Sequence, residues 1–323
     1  MKTVANTNTG VKSKSQSYYN KSKRFWKKES VKEIGAAYFL MAPFILIAGI
    51  FIFFPILYSL IISFQDFSYL NPDAAEWVGF NNYVALLQDS TFINAIKNTV
   101  MLLAIVVPIQ TMIALILAAV LNSKIRARTF FRTVYYLPYI TSPIAVGAVM
   151  VYMFNRDGVM TQFMTLFGMD NVAWYADGRY AFYLIVFIII WTQIGFYTVL
   201  YLSGLQSISD DIYEAAKIDG ANKVQVFFKI TAPLLKPTTF LVLFMGVIAT
   251  LQIFEQPYVV STTGGALPGS PSESTLTMVM YLYTQAFTYF DMGYASAAAF
   301  IIFIMIFTLT LVQYWYFEKR ERS

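Results

Sequence analysis

Six stretches of this chain, about residues 36–64, 98–121, 134–154, 180–205, 238–260 and 294–316, are long and apolar, and they hold one charged residue among them, Glu255. A helix needs about 20 apolar residues to cross a hydrocarbon core roughly 30 Å thick. Inside lipid every backbone donor and acceptor must be paired within the protein, and a helix does this unaided. The chain is therefore expected to be an all-α membrane protein with six transmembrane helices. Charged residues are 13% of the chain, against about 25% in a soluble domain. The third stretch contains Pro138 and Pro143, so its start is expected to be bent or displaced.

Lysine and arginine set the orientation, because short cytoplasmic loops carry the excess of both. With a cytoplasmic N-terminus, only Lys97, Arg156 and Arg179 of the 23 basic residues fall outside. The N-terminal group from Lys2 to Lys32 falls inside, as do Lys124, Arg126, Arg128, Arg132, Lys217, Lys223, Lys229, Lys236, Lys319, Arg320 and Arg322. Both termini are expected in the cytoplasm. The chain divides into a basic arm over 1–35, a six-helix domain over 36–316 and a tail over 317–323. The first apolar run is too long for a signal-peptide core and no A-x-A site follows it, so it reads as a retained span. The arm mixes Tyr18, Tyr19, Phe25 and Trp26 with its lysines. It either lies on anionic lipid or only enforces topology. The net charge of +5 thus belongs to the lipid bilayer and its topology, and no nucleic-acid partner is implied.

Several chemistries are excluded outright. There is no cysteine and no histidine, which removes disulfides, cysteine metal sites and histidine acid–base catalysis. No G-x-x-x-x-G-K-[ST] phosphate loop occurs, so the chain is not expected to hold ATP itself. No catalytic cluster is visible, and no cofactor or metal is expected in this chain.

The segment 206–237 is polar and rich in small residues, at about 30 residues far longer than an ordinary connection. Ser209, Asp210 and Asp211 offer helix N-cap chemistry, and Glu214 stands at capping-box spacing from Asp211. Ala215 and Ala216 keep this helix thin, and Asp219-Gly220 should end it, with Gly220 in the left-handed conformation. A second helix, about Ala221 to Ile230, presents Val224, Phe227 and Phe228. Pro233 and Pro237 then force an exit before the fifth span. Such a loop either sinks into a cleft on a partner or lies as a connector on the membrane surface.

Within the fourth and fifth spans, Trp191-Thr192-Gln193-Ile194-Gly195-Phe196-Tyr197 and Thr250-Leu251-Gln252-Ile253-Phe254-Glu255-Gln256 carry polar side chains that are costly in lipid unless they face a cavity or a partner. Amides can hydrogen-bond hydroxyl groups. Gln193 and Gln252 could equally bond across helices. Glu255, lying near the outer end of its span, is a functional candidate by its charge alone.

The segment Tyr213-Glu214-Ala215-Ala216 through Asp219-Gly220-Ala221, with Phe227-Phe228-Lys229-Ile230-Thr231 and Pro233-Leu234-Leu235, resembles the EAA loop of binding-protein-dependent sugar permeases of ABC importers. The resemblance is to the MalF-like partner and extends over most of the chain. It includes Trp77-Val78-Gly79-Phe80-Asn81-Asn82-Tyr83, Asn98-Thr99, Arg132-Thr133-Val134-Tyr135-Tyr136-Leu137-Pro138, Phe254-Glu255 with Thr263-Gly264-Gly265, and Gly293-Tyr294-Ala295-Ser296-Ala297. The short segment 65–97 departs from MalF itself, which has a large external domain there, and Ala266 stands where proline usually follows the Gly-Gly pair. The resemblance implies the type I (MetI-like) importer fold and a transport role, with sugars or oligosaccharides as cargo. It implies a second (MalG-like) permease subunit, ATPase subunits that bind ATP and Mg²⁺, and an extracytoplasmic sugar-binding protein. Coupling to the ATPase would fall to Glu214, Ala215, Ala216, Asp219, Gly220, Ala221 and Pro233. The sugar path would lie mid-membrane on spans four and five, with Thr192, Gln193, Phe196, Gln252 and Glu255 as candidates.

Two other classes compete. An ion-coupled secondary transporter usually shows repeats, Gly/Pro-broken helices and several buried charges, which one glutamate and no visible repeat match poorly. The same importer machinery could instead carry glycerol-3-phosphate or an acidic oligosaccharide. A basic residue facing the cavity would favour an anionic cargo, and none lies within the spans.

Overall fold

The computed structural model describes residues 33–122 and 128–321. The expectations for the arm before Glu33, and for Lys124, Arg126 and Arg322, lie outside the described residues. The first span is a helix over Glu33–Ile62, apolar on all sides. It forms a unit of its own, and the rest of the chain from Ile62 onward forms a second.

In the second unit the helix Gly178–Gln206 is the centre. It packs along the helix Ser90–Asn122 and against Arg128–Ile140. Leu184, Ile185, Ile188 and Ile189 are fully enclosed on its inner face, where Leu102 and Val106 of the second span meet them. Further along, Ala114 and Ala118 let Tyr197, Tyr201 and Leu205 pack closely. Gly195 permits the closest approach, since a Cβ there would run into the Tyr135 carbonyl of the third span.

Among the described residues five helices are long and apolar enough to cross a membrane, and a bent pair makes up to a sixth. Four of the expected spans appear as long helices with shifted ends: Glu33–Ile62, Ser90–Asn122, Gly178–Gln206 and Met292–Glu321. The third does not. It is two helices, Arg128–Ile140 and Pro143–Met153, bent by 98° at Thr141–Ser142. The break therefore lies at the middle of the expected span and not at its start. Pro138 is carried within the first limb, whereas Pro143 opens the second and holds the residue before it, Ser142, in an extended conformation (ψ 123°). The fifth span is also interrupted. Its helix Lys236–Leu251 stops, and another runs over Glu255–Thr262.

Pro55 and Pro233 are accommodated by one device. A proline inside a helix crowds the carbonyl four residues back. The turn Gly49–Phe53 widens, closed by the Phe54 N–H on the Gly49 carbonyl, just before Pro55. The turn Phe227–Thr231 widens in the same way, closed by the Ala232 N–H on the Phe227 carbonyl, just before Pro233. The chain thus passes Pro233 helically, and the break comes later, at Leu235 (φ −84°, ψ 1°).

The far end of the bundle is tied by long-range polar contacts. A two-residue ladder pairs Gln65–Asp66 with Glu76–Trp77, a small addition to the all-α expectation. Asn82 donates to the Ser63 and Gln65 carbonyls at 3.0 and 2.9 Å. Asn98 donates to the Glu273 and Leu276 carbonyls at 2.7 and 3.0 Å. The Tyr281 hydroxyl donates to Asp89. Burial raises the Asp291 carboxyl above the usual carboxylate range, with Asp66 adding repulsion and the Tyr294 N–H relieving part of the effect.

Candidate functional site

The loop 206–237 is built by local hydrogen bonds. Its first helix spans Asp210–Ile218, and Ser209 caps it by accepting from the Asp211 N–H at 3.3 Å. The expected box between Asp211 and Glu214 is not formed, because the cap lies two residues earlier and Glu214 falls in the second turn. The helix ends as expected. Gly220 takes φ +76°, the Ala221 N–H reaches the Ala216 carbonyl at 3.0 Å and the Gly220 N–H reaches Lys217 at 3.2 Å. This paired closure is the Schellman motif.

The second helix starts at Lys223, two residues later than expected, because Asn222 and Gln225 form a complete capping box at 2.9 Å each way. The Tyr213 hydroxyl meets Thr231 Oγ1 at 3.3 Å and joins the two arms.

This arrangement turns Ala216 inward and leaves Glu214, Ala215, Asp219, Gly220 and Pro233 exposed, with Ala221 half-buried. Ile218 is 86% exposed, and Val224 and Phe228 are also open, while Phe227 is half-buried and sets its ring edge-on to Phe228. Ile218, Val224 and Phe228 are thus apolar side chains left open on a polar loop.

The second group of candidates converges on a cavity of about 200 Å³. Thr192 and Gln193 line it from the fourth span, and Gln252 and Glu255 from the fifth. Phe196 is not in its wall. It stacks on Tyr139, which is, with centroids 4.7 Å apart. Both helix breaks open here, since Thr141 and Pro143 of the third span and Ile253 of the fifth also line the cavity. Irregular backbone at membrane depth is tolerated where it lines such a space or is buried in protein. The Ile253 carbonyl, released from its helix, accepts from the Thr277 hydroxyl at 3.0 Å. Thr192 keeps its hydroxyl on its own helix, donating toward Ile188 and Ile189 at 2.8 and 3.0 Å.

Tyr139, Thr141 and Gln256 line the same cavity, and the sequence reading missed them. Gln256 is buried, and its Oε1 has no hydrogen-bond partner. Pro143 was the available signal for the first two, because a proline mid-span marks where backbone and neighbours can open. Among the lining residues the one charged side chain is Glu255.

A family model described as "Binding-protein-dependent transport system inner membrane component" matches residues 110–323. The chain is 35% identical over 287 residues to the lactose transport system permease protein LacF of Rhizobium radiobacter, covering 88% of this chain and 93% of that one. It is 34% identical over 279 residues to the arabinooligosaccharides transport system permease protein AraP of Halalkalibacterium halodurans, covering 85% of each. A chain from the crystal structure of a bacterial ABC transporter involved in the import of the acidic polysaccharide alginate superposes with a TM-score of 0.78 over 92% of this chain and 99% of that one. At 24% identity that likeness concerns the fold.

Proposed function

This chain belongs to the inner membrane components of binding-protein-dependent transport systems, a multi-pass permease subunit of the cytoplasmic membrane, and from that premise we propose that it forms half of the pathway for a neutral sugar or short oligosaccharide in an ATP-driven importer. The observation that carries the cargo class is the cavity at the two helix breaks. Its lining offers amides, hydroxyls and the Tyr139 ring beside one carboxylate and no cation. Hydroxyl groups of a saccharide match those donors and acceptors, whereas this half of the pathway offers a phosphate or uronate no positive charge. Relatives named for lactose and arabinooligosaccharides support the same class.

The chain itself is a transporter subunit and not an enzyme. Its partners are a second permease, ATPase subunits that take ATP and Mg²⁺, and an extracytoplasmic binding protein that delivers the sugar. Residues 206–237 are the coupling element. Glu214, Ala215, Asp219 and Gly220 sit on the exposed face of a capped, rigid turn, so a push on that face moves the adjoining spans as bodies. ATP-driven closure of the ATPase pair then biases the cavity between inward-open and outward-open states. The excess of lysine and arginine in these segments supports a cytoplasmic side for this loop and both termini.

Broken helices are also a mark of secondary transporters, and two are present, so the energy source is the point to test. Affinity capture of the tagged chain from its native membrane in mild detergent, followed by mass spectrometry, is expected to recover an ATPase and a second permease. Recovery of the chain alone, with ATP-independent uptake after reconstitution in liposomes, would overturn the reading.

A further inference from the structure

We propose that Gln110 is a positioning residue that fixes which way Gln193 presents its amide to the cavity, an inference that rests on the cavity being the cargo path. Gln110 lies on the second span, is 0% exposed, and makes no hydrogen bond through either amide atom. A fully buried amide in a membrane helix is costly where leucine would serve. Its surroundings give the reason for keeping it.

A Cβ on Gly246 of the fifth span would lie 2.8 Å from Gln110 Nε2 and 3.7 Å from the Tyr197 hydroxyl. Glycine leaves a notch that both of those groups border. On its other side the Tyr197 hydroxyl donates to Gln193 Oε1 at 3.4 Å, and Gln193 lines the cavity.

The donor count then sets a direction. A phenol has one proton and spare lone pairs. With that proton on Gln193, the Tyr197 oxygen keeps its lone pairs for the Gln110 amide, which a small rotation would bring into donating position. Gln193 Oε1 is held on the protein side, and its N–H groups face the cavity as donors to cargo oxygens. Without Gln110 the Tyr197 hydroxyl is free to turn away, and Gln193 loses its fixed sense.

The test is a mutant cycle in the whole complex, reconstituted in liposomes with internal ATP. The probe is its native binding protein, isolated with the sugar it carries and supplied at saturation. Import rates are compared at equal chain abundance. Gln193→Leu and Gln110→Leu are each expected to slow import roughly fivefold, the scale of one hydrogen bond, and the double variant no further than Gln193→Leu alone. Tyr197→Phe removes one oxygen and keeps the ring, so a packing role for Gln110 would leave it unaffected. It is expected to reproduce the loss and to absorb the effect of Gln110→Leu. If Gln110→Leu does not assemble, Gly246→Ala crowds the same amide and is read in the same way. Multiplying losses in the double variant, or a parental rate for Gln110→Leu, would overturn the positioning role. A parental rate for Gln193→Leu would instead remove the cavity reading itself, and this proposal with it.

Discussion

The loop 206–237 and the cavity are both polar interruptions between apolar helices, yet they are held by opposite means. The loop is fixed by neighbours in sequence: Ser209 with Asp211, Asn222 with Gln225, Ala221 with Ala216. Its candidate side chains are left pointing out. The cavity is fixed by distant partners, with Tyr139 against Phe196 and Thr277 on the Ile253 carbonyl, and Thr192, Gln193, Gln252 and Glu255 share its wall, the last two still exposed. A surface that docks needs a stiff backbone and free side chains. A site that handles a solute needs placed side chains and can accept a broken backbone.

This contrast can be broken most sharply at Gly220. At φ +76° a β-branched residue is strained by about 1–2 kcal/mol or more, so Gly220→Val should unwind the closing turn and nearly abolish import while the chain remains at its normal level in the membrane. Normal import at normal abundance would show that the turn is not the coupling element. Next in size is Glu255→Gln, which keeps the shape and removes the charge in the cavity wall. Import is expected to fall about tenfold, the scale of a hydrogen bond to a charged group, with ATP hydrolysis by the complex retained. Equal loss of both activities would place Glu255 in assembly and not in the path. Phe196→Leu removes the stack on Tyr139, and about a threefold loss of import follows from the usual worth of such a pair. An unaltered rate would mean that Tyr139 is positioned by its own helix.

The smallest effect concerns the far end, where long-range contacts again dominate. The raised Asp291 carboxyl favours the folded state when protonated, so it adds stability at low pH that is lost as pH rises through its folded titration. Asp291→Asn can keep the acceptor for the Tyr294 N–H, which lies 3.0 Å from the present Oδ1. Its melting temperature should exceed the parent's above that titration and converge with it in acid. A constant difference across pH would remove the carboxyl as the cause.

The same division explains what the amino-acid sequence made legible. The spans were readable because hydrophobic length is a local property, and Gly220 because the need for a positive φ is local too. Offsets of two residues arose at the Ser209 cap, where Ser209, Asp210 and Asp211 stand in a row and only geometry chooses among them, and at Asn222, whose box with Gln225 sets the helix start. The break at Thr141–Ser142 was misplaced because Pro138 and Pro143 look alike in sequence, though only Pro143 opens a new helix. The break at Gln252–Phe254 carries no proline or glycine at all. It exists because Thr277, far along the chain, takes up the freed Ile253 carbonyl. Thr192, Gln193, Gln252 and Glu255 could be named from polarity within apolar runs, and Gln256 carries the same signal but was passed over, whereas Tyr139 could not, since its membership depends on where the bent third span lies.

That bend sets a length. Limbs 98° apart cannot both stand along the bilayer normal. Pro143–Met153 has 11 residues, about 16 Å of helix, close to half of a hydrocarbon layer roughly 30 Å deep. The limb beyond the elbow is thus half a span by length, and the third stretch cannot cross as one straight rod.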